Sequence, residues 1–197
     1  MKESIAILSL WRDSEYYINN SLSQLESLEK DLKDDYSFIY TFYENDSRDD
    51  TSLILKNWLK NRRGFLQSET LNMAKWGSIQ YQKRTKMLGR YRNKCINALK
   101  DESYKYLLVV DSDINYPKDL LRKMIHILET NSEIGMVTPN TTQNVPDAVE
   151  QTENESYFDS WALIDAKGNP GISFAANPFI DILDRKRWMQ GRKILVN

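Results

Sequence analysis

Two aspartates, Asp111 and Asp113, directly follow the apolar run Leu107-Leu108-Val109-Val110 in the segment LLVVDSD. If the extended geometry of the run persists, the i, i+2 spacing points both carboxylates to one side of the chain. Acids so placed repel each other and call for a cation. Hard oxygen donors suit Mg²⁺ or Mn²⁺, which keep several waters and accept substrate phosphate as a further ligand. The chain has one histidine, His126, and one cysteine, Cys95. That count excludes an intramolecular disulfide, a multi-cysteine zinc site and a His-rich metal site, and it argues against Ser-His-Asp and Cys-His centres. Metal chemistry therefore falls to carboxylates. The plain alternative for Asp111 and Asp113 is a turn and a helix cap ahead of Pro117.

Two further polar segments lie where a ligand could use them. Glu44-Asn45-Asp46-Ser47-Arg48-Asp49-Asp50-Thr51 follows a strand-like run and opens a helical one, a position from which Glu44 and Asn45 can hydrogen-bond a nucleobase and ribose. As a bland alternative it is a charged turn with a capping Asp or Thr. The basic stretch from Lys83 to Lys94 offers Arg84 and Arg92 to a diphosphate, since the planar guanidinium fork suits phosphate oxygens. A solvated helix face is the reading preferred for Arg90 and Lys94.

The elements that must position these groups alternate. Strand-like runs are Ser4 to Leu10, Tyr36 to Tyr43, Gly64 to Ser68 and Tyr104 to Val110; the first, second and fourth have the composition of strands covered on both faces. Helical spacing of apolar residues runs from Ser14 to Leu32, Asp50 to Asn61, Lys86 to Lys100 and Pro117 to Thr130, with Asp13 or Ser14 capping the first and Asp50 or Thr51 the second. A short strand at Gly135 to Thr138, a long loop from Asn140 to Ser156 and a strand from Tyr157 to Asp165 complete the pattern. This order predicts an α/β domain with a mostly parallel central sheet flanked by helices, its ligand site at the carboxyl edge.

At 197 residues the chain fits one domain, 1–197, able to bury a core without cross-links. Lys+Arg 27 against Asp+Glu 28 leaves a formal charge of -1, which excludes a dominant nucleic-acid footprint. The apolar run from Ile5 to Trp11 is far short of a transmembrane segment, and no cleavage-site pattern follows it. Asn-x-Ser/Thr sequons start at Asn19, Asn45, Asn140 and Asn154. A glycan on Asn45 would block the expected ligand cleft, which favours a cytoplasmic protein; the alternative is a Golgi lumenal one whose anchor has been removed.

In order, ENDSRDDT, RTKMLGRYRNKCINAL, YKYLLVVDSDINYPKDLLRKM and EIGMVTPN resemble a glycosyltransferase of the GT-A fold. ENDSRDDT is similar to the acidic loop of the family-2 transferases. The pattern R-x-x-x-L-x-x-x-RN-x-x-x-x-AL, from Arg84 to Leu99, and YFDSW at 157–161 are similar to fungal capsule-associated α-1,3-mannosyltransferases and mannan-polymerase-type mannosyltransferases. The resemblance implies a Rossmann-like GT-A sheet and transfer of a hexose from a UDP- or GDP-sugar to a glycan or other hydroxyl acceptor. It implies a Mn²⁺ or Mg²⁺ ion on Asp111 and Asp113, bridging to the donor diphosphate. Glu44 and Asn45 match the base and ribose contacts, and Arg84, Arg92 and Asn93 match the helix facing the donor. Asp159 is the candidate for orienting or deprotonating the acceptor, with a structural strand-end role as the alternative; Trp161 is a candidate sugar platform or a core residue. His126 and Cys95 read as structural. The family's further ligand, often a histidine, has no counterpart after Gly171, which implies a minimal or truncated C-terminus. The rival readings are a non-catalytic nucleotide-sugar-binding domain, a fragment of a larger transferase, and a nucleotidyltransferase; the last lacks its Gly-rich loop after the first strand.

Overall fold

A computed structural model describes residues 2–74, 82–139, 142–146 and 153–157. The chain divides into two units, Met1–Glu133 and Ile134–Asn197. The first unit runs β1 (Glu3–Trp11), α1 (Glu15–Leu32), β2 (Tyr36–Asn45), α2 (Thr51–Leu59), β3 (Gly64–Glu69), α3 (Gln82–Ala98), β4 (Tyr106–Val109) and α4 (Leu120–Thr130). Its four strands form one sheet in the order β3-β2-β1-β4, and every pairing is parallel. The fold is therefore α/β, a parallel sheet flanked by helices, as the alternation of elements predicts.

Period-two alternation sorts the core into two layers. Ile5, Ile7 and Trp11 of β1 and Phe38, Tyr40 and Phe42 of β2 face α1, α2 and α4, where Ile18, Leu22, Leu25, Leu28, Leu32, Leu55, Leu121 and Ile125 meet them. Each such side chain contributes about 1.5–3 kcal/mol on burial. The opposite side chains, Ala6, Leu8, Ile39 and Tyr43, pack on Tyr91 and Cys95 of α3 and on Leu99 just beyond it. Tyr43 and Tyr91 stack with ring centroids 4.5 Å apart, and the Thr41 hydroxyl donates to the Cys95 carbonyl at 3.0 Å. Later residues of α3 meet earlier residues of β2, so α3 runs antiparallel to the strands and brings its N-terminal turns to their carboxyl ends.

β4 departs from the expectation of cover on both faces. Leu107 and Val109 are 36% and 49% exposed; among the described residues α3 packs on β1 and β2, and β4 stands at the end of the strand order. α3 begins at Gln82, four residues before the apolar spacing becomes visible at Lys86. The caps differ too. Ser14 and Asp50 are the N-cap residues, but neither makes a side-chain capping bond. Asp49 supplies the acceptors for both helices, as set out below.

In the second unit, residues 134–139 carry no strand. Gly135 weakens the expected run and Pro139 removes a donor from it, so it has little to pair with. The polar stretch expected to be a loop holds an antiparallel pair, β5 (Thr142–Pro146) and β6 (Glu153–Tyr157), in register Thr142↔Tyr157 to Pro146↔Glu153. Polar side chains do not prevent pairing, since the ladder is made by the backbone. The rest of the strand expected over Tyr157 to Asp165 lies outside the described residues.

Candidate functional site at the carboxyl edge

The chain leaves β1 for β2 on one side and returns as β4 on the other, so strand order reverses between β1 and β4. Parallel α/β sheets bind ligands in the crevice outside such a switch point. Both candidate carboxylates are delivered there: β4 ends at Val109, paired with Leu8 of β1, and Asp111 and Asp113 follow, both exposed. Val110 packs into the core beneath them. The turn between them is pinned to α1. Ser21 donates to the Ser112 backbone carbonyl at 2.5 Å, Tyr17 and Ser112 share a hydroxyl contact of 3.2 Å, and Asn20 and Gln24 donate to the Asn115 side-chain Oδ1 at 2.9 and 2.7 Å. These bonds hold the turn, not the carboxylates, which stay exposed.

The loops after β1 and β2 interlock beside them. Asp49 Oδ1 accepts the Thr51 N–H at 3.1 Å and its hydroxyl at 2.6 Å, while Oδ2 accepts the Glu15 N–H at 3.0 Å. One carboxylate thus caps the N-termini of α1 and α2 together, where the helix dipoles also favour an anion. Burial works against its charge, but the Thr51 and Glu15 hydrogen bonds outweigh it and hold the carboxyl below its ordinary value. Return bonds run from Asp50 N–H to Glu15 at 3.1 Å, Arg48 N–H to Asp13 at 2.9 Å and Ser14 N–H to the Thr51 hydroxyl at 2.7 Å. Asp13 and Asp46 take positive φ, 47° and 55°, as short polar side chains at loop corners can.

The structure places Glu44 and Asn45 at this edge, both buried. Glu44 is 3% exposed; one oxygen accepts the Ser47 N–H at 2.9 Å and the other the Ser68 hydroxyl. The Asn45 amide donates to Asp46 at 2.9 Å. Asp46 in turn accepts the backbone N–H groups of Leu71, Asn72 and Met73 at 2.6, 2.8 and 3.2 Å. Burial raises the Asp46 carboxyl, yet the Asn45 amide and these N–H groups prevail and lower it. Arg12 holds the same segment from its other side, donating to the carbonyls of Met73 at 2.6 Å and Ala74 at 3.4 Å.

On the α3 side, Arg92 reaches Asp111, its Nη2 3.1 Å from Oδ1. Arg84 sits seven residues before the Tyr91 anchor, roughly 10 Å further along the helix and past the strand ends. Asn93 is on the exposed surface of α3, and its side chain makes no hydrogen bond among the described residues. Lys94 is not a solvated residue. It pairs with Glu69, which also accepts the Tyr43 hydroxyl at 2.6 Å, and its ammonium lies 5.3 Å from the Tyr43 ring centroid. The Lys94 bond, then the Tyr43 bond, hold Glu69 below the usual carboxylate range. The Cys95 thiol is buried and His126 lies exposed on α4. Asp159 and Trp161 lie outside the described residues.

The donor set fits a hard divalent cation with water and phosphate completing its shell, because two exposed carboxylates are what Mg²⁺-type sites commonly take from protein. Among the described residues no group of three or more His, Cys, Asp and Glu converges on one point. Sequence reasoning missed Arg12, Asp46 and Asp49, whose roles depend on backbone groups far away in the chain. A cavity of about 910 Å³ lies at the opposite, amino edge, lined by Leu32, Tyr36, Arg122 and His126 among others. Its charges are already committed, Arg122 to Asp31 and Asp35, and Glu129 to Lys105. The carboxyl edge is therefore the stronger candidate despite its shallower relief.

No protein-family model matches the chain, and no curated protein matches it; the mannosyltransferase families have no support from either. Among solved structures it is similar to S. aureus TarS 1-349 in complex with UDP-GlcNAc, with 21% identity over 66% of this chain and 32% of that one, at a TM-score of 0.43. It is also similar to TarS 1-349 alone, with 20% identity over 73% of this chain and 41% of that one, at a TM-score of 0.45. The chain thus spans less than half the length of the structures it matches. Among the described residues no helix is long and apolar enough to cross a membrane.

Proposed function

We propose that the chain carries a glycosyltransferase activity of the GT-A kind, moving a hexose from a UDP- or GDP-sugar to a hydroxyl acceptor. The observation that carries this reading is the placement of Asp111 and Asp113, exposed and adjacent, at the carboxyl end of β4 beside the switch point. Asp111 and Asp113 would hold Mn²⁺ or Mg²⁺, which when bound supplies Lewis-acid stabilisation of the departing diphosphate. Arg92 reaches Asp111 from α3, Arg84 lies nearer the N-terminus of that helix, and both guanidinium groups suit the diphosphate oxygens. Glu44 is committed to Ser47 and Ser68, so it shapes the loop after β2, and the base and ribose meet that loop's rim. In the transfer the sugar's C1–O bond to the diphosphate breaks, its electron pair leaving on the phosphate oxygen. The acceptor oxygen bonds to C1, and its proton passes to a base, for which Asp159 is the candidate.

The test is nucleoside diphosphate release from a panel of UDP- and GDP-sugars with Mn²⁺ or Mg²⁺, for the wild type and Asp113→Ala. Release should fall about 100-fold or more in the variant, the order expected when stabilisation of a leaving group is lost. Full turnover in Asp113→Ala would sink the assignment. Donor binding without release across acceptors would mean a binding domain, and pyrophosphate release from a nucleoside triphosphate with a sugar phosphate would mean a nucleotidyltransferase.

A further inference from the structure

We propose that Arg92 is a two-station side chain: it is the resident counter-cation of Asp111 until a divalent cation takes that carboxylate, and it then moves to the donor diphosphate. The inference rests on the proposed metal site and goes beyond it, because it assigns Arg92 a resting role that competes with metal.

Three observations carry it. The first is the pair itself. Arg92 Nη2 lies 3.1 Å from Asp111 Oδ1, and the side chains are 35% and 55% exposed. A single-point pair this open to water is weak, so exchanging it costs roughly fivefold at most in an equilibrium constant. The second is an unmet donor. Arg92 Nε is shielded from solvent and has no hydrogen-bond partner among the described residues. The resting pose therefore uses little of the fork, and a swing toward an oxyanion would satisfy more of it. The third is charge. Asp113 has no partner among the described residues, so Arg92 offsets only one of two carboxylates. A divalent cation offsets both, leaving Arg92 surplus on Asp111 just as a diphosphate supplies new negative charge. The helix need not move, because Tyr91 stacks on Tyr43 beside Arg92. Only the side chain rotates.

The two stations predict effects of opposite sign on two ligands, which a merely structural role would not produce. Mn²⁺ binding to the full chain without nucleotide is followed by electron paramagnetic resonance of the free ion. UDP and GDP binding at saturating Mn²⁺ is followed by calorimetry, and far-UV circular dichroism melts confirm folding. Arg92→Gln should bind Mn²⁺ about two- to fivefold more tightly, the worth of the lost ion pair. It should bind UDP or GDP about tenfold more weakly, since charge-assisted bonds to phosphate are lost. Arg92→Lys, which keeps the charge but not the fork, should fall between. Asp113→Asn separates the two ideas. If it loses Mn²⁺ binding while Arg92→Gln leaves that binding unchanged or weaker, the metal site stands and the two-station role is overturned. If Asp113→Asn leaves Mn²⁺ binding intact, the metal site fails and the role of Arg92 falls with it.

Discussion

Replacing Asp49 by alanine removes one carboxylate but uncaps two helices. Three bonds are lost together: from the Thr51 N–H at 3.1 Å, the Thr51 hydroxyl at 2.6 Å and the Glu15 N–H at 3.0 Å. A lost cap ordinarily costs about 1 kcal/mol, so two caps give about 2 kcal/mol. The buried Thr51 hydroxyl keeps the bond it accepts from the Ser14 N–H but loses its own acceptor, which adds about 1 kcal/mol. Asp49→Ala should therefore lose about 2–3 kcal/mol in urea unfolding at neutral pH, and each kcal/mol should lower Tm by about 2–4 °C in a chain of this size. Asp49→Asn keeps one acceptor oxygen and can serve only one helix, so it should lose about 1 kcal/mol. The pH dependence follows from the lowered carboxyl. Its stabilisation is complete above the unfolded value near pH 4 and is lost as pH falls through the lower folded value, so the gap between wild type and Asp49→Ala should narrow on acidification. Equal losses in the two variants, no loss in either, or a gap indifferent to pH would each refute double capping.

Other outcomes follow from packing and burial. A Cβ added at Gly64 would stand 2.7 Å from the Tyr40 carbonyl and 2.9 Å from Leu59 Cδ2. Gly64→Ala should therefore cost about 1–3 kcal/mol, read as a lower urea midpoint with an unchanged slope. Burial pushes the Cys95 thiol up to about 11, so a thiol-disulfide reagent at pH 8 should leave the native chain unlabelled and react once urea unfolds it. Rapid labelling of the folded protein would place Cys95 outside the core.

Much of the first unit was legible because β1 and β2 are covered on both faces. β1 and β2 are continuous apolar runs, and α1 carries Ile18, Leu22, Leu25, Leu28 and Leu32 on one stripe, so periodicity alone finds them. The start of α3 was not legible, because Gln-Lys-Arg-Thr at 82–85 has no apolar member to mark a face. Nor was the pairing of β5 with β6, whose polar residues carry no hydrophobic signal. At the site, the position of Asp111 and Asp113 at a strand end could be read from LLVVDSD, and Arg92 does reach Asp111. Glu44 could not be read correctly. A carboxylate in a polar loop looks available for ligand, and only the fold reveals that both oxygens are spent on Ser47 and Ser68. Asp49 was hidden for the same reason: its acceptors serve a backbone group 34 residues away as well as its own helix.

The stretch after β3 has one more consequence. Strands at the rim of a sheet invite other chains to add on, since they display unsatisfied backbone donors and acceptors. Beyond Glu69, however, the N–H groups of Leu71, Asn72 and Met73 are taken by Asp46, and the carbonyls of Met73 and Ala74 by Arg12. Two side chains from neighbouring loops take up the backbone groups of this segment where the pairing of β3 with β2 has ended. The rim strand thus ends in a segment whose backbone bonds are already used within the molecule, leaving an aggregating neighbour little to template on at that corner.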